Sequence, residues 1–197
     1  MTCKADIISL RPAPKPPRRM GLCPGILAFA LLAGPPAVQA QQVRDPGVPL
    51  AAVAGFDQSR LVGDWFEIAR AESRLQIDCH SVTTRIEARD DSRLTLKLAC
   101  HKGAPDGPVL PVEGVLVERE PGLFQWRLVR FSNLGEQYLA VLWAAPDDSV
   151  VVIGSPQGQV GWVLAKAQDT DPAAGIAILL DNGYAPRSII PAAGGDP

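Results

Sequence analysis

From Gly63 to Ala167, short apolar-rich runs alternate with turn residues at nearly even spacing, and none of them carries the apolar repeat of a helix. The runs span 63–70, 80–89, 93–101, 109–119, 124–131, 136–145, 149–154 and 160–167. The separators are rich in Asp, Gly, Pro, Ser and Asn, the residues that suit tight turns. Several runs alternate in polarity. Val82, Thr84, Ile86 and Ala88 share one face of their run, while Ser81, Thr83, Arg85 and Glu87 share the other. Leu94, Leu96 and Leu98 oppose Thr95 and Lys97, and Phe124, Trp126 and Leu128 oppose Gln125 and Arg127. A period of two with one wet face belongs to a half-buried strand. Eight such strands in series form an antiparallel meander, which removes its two exposed edges by closing into a barrel. The expected class is therefore all-β, an eight-stranded antiparallel up-and-down barrel.

The run 136–145 is apolar on both faces around Tyr138–Trp143, so something must cover its outer side. A C-terminal α-helix is the expected cover. Asp171 can cap it, Pro172 suits its first position, Ile176, Leu179 and Leu180 lie on one face, and Gly183 can end it. Ser188-Ile189-Ile190 can add a further short strand.

The first forty residues are different in kind. They carry five basic residues against Asp6 alone, which leaves the rest of the chain at −6. Arg18-Arg19 precede the apolar run 25–34, and Val38-Gln39-Ala40 supplies a cleavage pattern before Gln41, the order of a secretory signal peptide. The run is too short to span a bilayer, which takes about 20 apolar residues. The expected division is a signal peptide at 1–40, an irregular tether at 41–55, the barrel with its helix at 56–190 and a disordered tail at 191–197, giving a periplasmic or secreted mature protein. An acidic domain without a Lys/Arg cluster is a poor nucleic-acid binder, because phosphate contacts supply most of that affinity.

Cys3 and Cys23 would leave with the leader. Cys79 and Cys100 remain, and an even pair in an oxidising compartment defaults to a disulfide. If Val82, Thr84 and Ile86 face Leu98, Leu96 and Leu94, a regular ladder puts the two cysteines on opposite faces, so the spacing predicts a bulge beside Cys79, or Cys79 lying just before its strand. Cys79-His80 and Cys100-His101 could in principle hold zinc, but neighbours on a strand point to opposite faces and no metal site is expected. The sequence contains no nucleophile elbow, His-Glu-x-x-His or phosphate loop. Glu67 stands out: alternation places it inside with Trp65 and Ala69, where a carboxylate needs a partner or water. It reads either as a hydrogen-bonded barrel carboxylate or as a ligand contact. Trp65 reads as core at one end, Trp126 and Trp162 as core or pocket wall, and Trp143 as lying beneath the helix. Phe124, Trp126 and Leu128 are the expected pocket wall, with Tyr138 as polar handle.

Gly63-Asp-Trp-Phe-Glu-Ile-Ala-Arg70, preceded by Phe56-Asp57, closely resembles the opening strand of lipocalins, above all their bacterial outer-membrane branch. Val82-Thr83 leading to Arg89-Asp90-Asp91, then Glu113-Gly114, Gly154-Ser155-Pro156 and Trp162-Val-Leu-Ala-Lys166 resemble later strands of that branch, so the likeness spans roughly 53–190. It implies a lipocalin-like barrel that binds or carries a small apolar ligand, a fatty acid or lysophospholipid, in the cell envelope, without enzymatic activity and without a cofactor. Membrane contact and oligomeric state stay open. Two departures stand out: Lys166 occupies the place of an arginine that packs on the first-strand tryptophan in the family, and the family's Asp-x-x-Tyr motif is missing. Three rival readings stay open beside carriage: an enzyme acting on its bound ligand through Glu67, a haem or metal binder using His80 or His101, and a structural module with a filled barrel.

Overall fold

The computed structural model describes residues 43–129 and 136–192. The proposed signal peptide, the turn at 132–135, the end of the fifth run beyond Val129 and most of the proposed tail lie outside the described residues. Eight strands follow the sequence pattern: β1 Gly63–Ala71, β2 Cys79–Ala88, β3 Leu94–Lys102, β4 Val109–Glu120, β5 Leu123–Leu128, β6 Gln137–Ala144, β7 Val150–Gly154 and β8 Gly161–Ala165. The helix α1, Ala173–Asp181, and a short β9, Ile189–Pro191, come last. Each strand pairs antiparallel with the next, and β1 pairs with both β2 and β8, so the meander closes into an up-and-down barrel.

The interior is the set of inward positions that alternation supplies. Trp65, Ile86, Leu96, Leu116, Phe124, Trp126, Leu139, Trp162 and Leu164 are all buried there. One end of the barrel is sealed. Asp57 caps a 3-10 turn, Gln58–Leu61, by accepting from Ser59 N at 2.9 Å, and Leu61 O accepts from Trp65 Nε1 at 2.8 Å. Lys166 Nζ lies 3.6 Å from the centre of the Trp65 ring, so the lysine keeps the cation over the tryptophan without a flat stacking plane.

The β2–β3 register corrects the expected one by two residues: Val82 pairs with Cys100, Thr84 with Leu98 and Ile86 with Leu96. The hairpin turns about Asp91, with Ser92 in the left-handed region (φ 62°) and Arg89 N donating to Arg93 O at 3.0 Å. This is a three-residue loop closed by a left-handed residue. A slip of two preserves every face, which is why the polarity pattern cannot detect it. The bulge predicted beside Cys79 is present, between Cys79 and Ser81, and it brings Cys79 to the interior face. Cys79 and Cys100 form a disulfide with Cα atoms 5.3 Å apart.

A second apolar cluster lies outside the barrel. Asp171 Oδ1 accepts from Ala173 N at 2.9 Å, and the chain leaves the helix through Gly183 (φ 85°), with Tyr184 N donating to Leu179 O. The helix packs Leu179 and Gly175 on β7 and β8, above Val152 and Val163. It does not sit squarely on β6 as expected; Leu142 and Trp143 of β6 lie at the margin of the same cluster. A methyl group on Gly175 would stand 2.3 Å from Val163 Cγ1, so glycine sets the approach distance. Residues 43–55 hold no helix or strand but are fastened to this side. Asp45 N donates to Gly183 O and Val53 N to Val141 O, each at 2.8 Å. The buried Arg44 donates to the carbonyls of Asn182, Pro156 and Val48.

Candidate functional site

The end of the barrel opposite the 3-10 turn carries its polar interior, and a break in strand regularity creates it. β1 pairs with β8 as Phe66–Ala165 and Glu67–Leu164, then as Ala69–Val163 and Arg70–Trp162, so Ile68 is a bulge. Beyond a bulge the inside and outside positions exchange. Ala69, expected inside, therefore lies in the outer cluster beneath the helix, while Arg70 turns inward beside Glu67.

Glu67 is wholly buried and held from two sides. Arg70 Nη1 donates to Oε1 at 3.0 Å, and Gln76 Nε2 donates to Oε2. Gln76 Oε1 in turn accepts from Trp162 Nε1 at 2.9 Å, and Arg70 Nη2 donates to the Cys79 carbonyl at 2.6 Å. Gln76 reaches this point because Ser73 caps the 3-10 turn Arg74–Gln76 that joins β1 to β2. Removal from water raises the Glu67 carboxyl from 4.5 to about 7; the Arg70 charge and the hydrogen bonds of Gln76 and Arg70 pull the other way without offsetting it. The sequence signals Glu67 by its position, but Arg70 is masked by the bulge and Gln76 by its place in a connecting turn.

Above this network the wall of the barrel is open. The β1–β2 ladder ends at Phe66–Thr83, and over Ala69–Ala71 it is β9 that pairs with β1. Between β9 and the connecting turn lies a groove of about 500 Å³ lined by Val43, Arg70, Glu72, Arg74, Gln76 and Cys79, among others. Ile77 and Ile190, both exposed, flank it. Its floor is Arg70 and Gln76; the Glu67 side chain lies beneath, unexposed.

The other expected ligand contacts are dispersed. Phe124 and Trp126 are interior and nearly inaccessible, and Leu128 packs half-buried on the same core. The Trp126 ring meets Trp162 edge-on, centroids 5.6 Å apart. Among the described residues the Trp126 Nε1 has no hydrogen-bond partner, and a methyl group on Gly114 would stand 2.3 Å from it, so that glycine makes room for the indole edge. Tyr138 lies on the outer face with its hydroxyl 3.4 Å from Glu136 Oε2, because Leu139 and Val141 take the inward positions of β6; it does not join the interior residues. Among the described residues no three His, Cys, Asp or Glu side chains come together as a metal site, and the two thiols that a Cys/His site needs are bonded to each other.

A family model described as a lipocalin-like domain matches residues 56–192. No curated protein matches the chain. Among solved structures, the chain is similar to lobster apocrustacyanin A1, with 14% identity, a TM-score of 0.55, and coverage of 71% of this chain and 81% of that one. It is also similar to the allergen Per a 4 from cockroaches, with 12% identity, a TM-score of 0.54, and coverage of 75% and 95%. At these identities the likeness is one of fold.

Proposed function

The chain belongs to the lipocalin-like family, a fold that generally binds small hydrophobic ligands, and from that premise we propose that it binds and carries a single-chain amphiphile, a fatty acid or lysophospholipid, in the cell envelope. The observation that carries this reading is the groove at the top of β1, where exposed Ile77 and Ile190 flank a floor made by Arg70 and Gln76. Exposed apolar side chains beside a lining that also carries Glu72, Ser73, Arg74 and Asp78 suit a molecule with an apolar part and a polar end. Each methylene taken out of water contributes about 0.8 kcal/mol, so chain length sets affinity and the headgroup sets orientation. The disulfide fits an oxidising compartment, extracellular or periplasmic, and export through residues 1–40 is part of the proposal.

We read the protein as a binder, not an enzyme. Glu67, the candidate acid or base among the described interior residues, is held by Arg70 and Gln76 and is shut away from the groove. A second reading, a barrel that carries nothing, is favoured by the dense packing of Trp65, Phe124, Trp126 and Trp162 along the interior. Native mass spectrometry of protein purified from the envelope, with organic extraction of any adduct, separates the two. A defined lipid leaving with the protein supports carriage. An apo mass, together with tryptophan fluorescence unmoved by fatty acids and lysophospholipids, supports the filled barrel.

A further inference from the structure

We propose that the groove holds the anionic headgroup of its amphiphile on Arg70, and that binding takes up one proton at Glu67, so that ligand is held more tightly as pH falls. The inference rests on the amphiphile reading above and adds to it the charge of the ligand and a means of release.

The argument begins with how the pair is exposed. The Arg70 side chain is 8% exposed and the Glu67 side chain 0%, so a ligand entering the groove meets the cation and never touches the anion behind it. A guanidinium has five N–H donors. Glu67 Oε1 and the Cys79 carbonyl take two of them, which leaves donors for a headgroup. An anion at Arg70 would set two negative charges on one cation in a dry site, and in that arrangement one of the two takes a proton. A sulfonate or phosphodiester anion is too weak a base to take that proton near neutrality; the Glu67 carboxylate, raised to about 7 by burial, is not.

The surrounding groups leave Glu67 free to act this way. On its own strand it faces Arg70. From the connecting turn it faces the uncharged Gln76, which also takes the Trp162 indole N–H, and on β8 it pairs with Leu164; the Cys79 carbonyl of β2 is held by Arg70, and its sulfur is in the disulfide. Among the described residues, Arg70 is the charged group that acts on it. Glu72, Arg74 and Asp78 stand along the groove, with Lys102 Nζ 3.9 Å from Asp78. His80 is half-exposed at the bulge and His101 lies on the outer side of β3.

The test compares two amphiphiles with ten-carbon tails on the full chain by titration calorimetry. Decanesulfonate stays anionic at every pH used, so any pH dependence belongs to the protein; monodecanoylglycerol is neutral throughout. Linkage to a single proton gives sulfonate binding about tenfold tighter at pH 6 than at pH 8. At pH 8 paired buffers of different ionisation heat should report close to one proton taken up, and at pH 6, where Glu67 already holds its proton, close to none; the neutral ester should show neither effect. Glu67→Gln should bind the sulfonate at pH 8 as tightly as the wild type does at pH 6. Arg70→Gln should lose the sulfonate and keep the ester. Sulfonate binding that is equal at both pH values, or no tighter than the ester, overturns this inference and leaves amphiphile binding standing. Failure of both amphiphiles to bind overturns the reading beneath it as well. Should either variant fail to fold, the wild-type pH profile and proton count decide alone.

Discussion

Glu67 makes the ligand-free protein less stable as pH rises, opposite to the usual behaviour of a carboxylate in a salt bridge. Its carboxyl is raised from 4.5 to about 7, with burial as the largest cause. Between those values the folded chain holds a proton that the unfolded chain has released. Stability falls with pH wherever the folded state binds more protons. The stabilisation is complete below pH 4.5, declines as pH rises toward 7 and is gone above it. A span from 4.5 to about 7, at about 1.4 kcal/mol per pH unit, amounts to about 3 kcal/mol. Asp57, Glu87, Asp91 and Asp147 have carboxyls held below their ordinary values by hydrogen bonds, so their contributions are lost only as pH falls below about 4.5, outside this window.

The assay is urea unfolding followed by tryptophan fluorescence at pH 5, 6, 7 and 8. Trp162 is well placed to report, since its Nε1 donates into the same network. Wild-type stability should drop across the series, and Glu67→Gln should be flat and close to the wild-type value at pH 5. A wild type that is flat or rises with pH refutes the reasoning. So does a Glu67→Gln variant about 3–5 kcal/mol less stable at every pH, because that is the cost of breaking a buried pair whose attraction outweighs its desolvation.

Three further outcomes are expected. Gly175→Ala should destabilise the protein by about 1–3 kcal/mol in thermal unfolding, because the added methyl meets Val163 Cγ1 at 2.3 Å; in an unpacked helix the same change stabilises. Reducing Cys79–Cys100, whose residues are 21 apart in sequence, should cost about 3 kcal/mol in urea unfolding with and without reductant. Lys166→Arg should raise stability by about 0.5–1 kcal/mol in the same assay, because a planar guanidinium stacks on the Trp65 ring that the ammonium now covers.

What could be read from the sequence was whatever repeats. Alternation along β2, β3 and β5 and the turn residues between strands follow directly from the period of two, and they carry the barrel, its strand boundaries and the interior places of Trp65, Phe124 and Trp126. The site depends on where that period fails. Ile68 interrupts β1, and one extra residue is enough to send Ala69 out and bring Arg70 in. The Cys79 bulge was legible because the disulfide supplied a second constraint against which the ladder could be checked. No such partner announces the Ile68 bulge: Arg70 in an unbroken strand reads as an ordinary solvated charge, and Gln76 in a turn reads as loop. The same reasoning accounts for Tyr138. Its run is apolar on both faces, so alternation gives no preference, and the side that faces in is decided by Leu139 and Val141 filling the interior. A buried carboxylate in an apolar face is therefore a stronger clue than its own position suggests. Because Glu67 needs a cation or a donor, its presence calls for a partner inside the barrel; Arg70, turned inward by the Ile68 bulge, and Gln76, brought in by the connecting turn, both answer it.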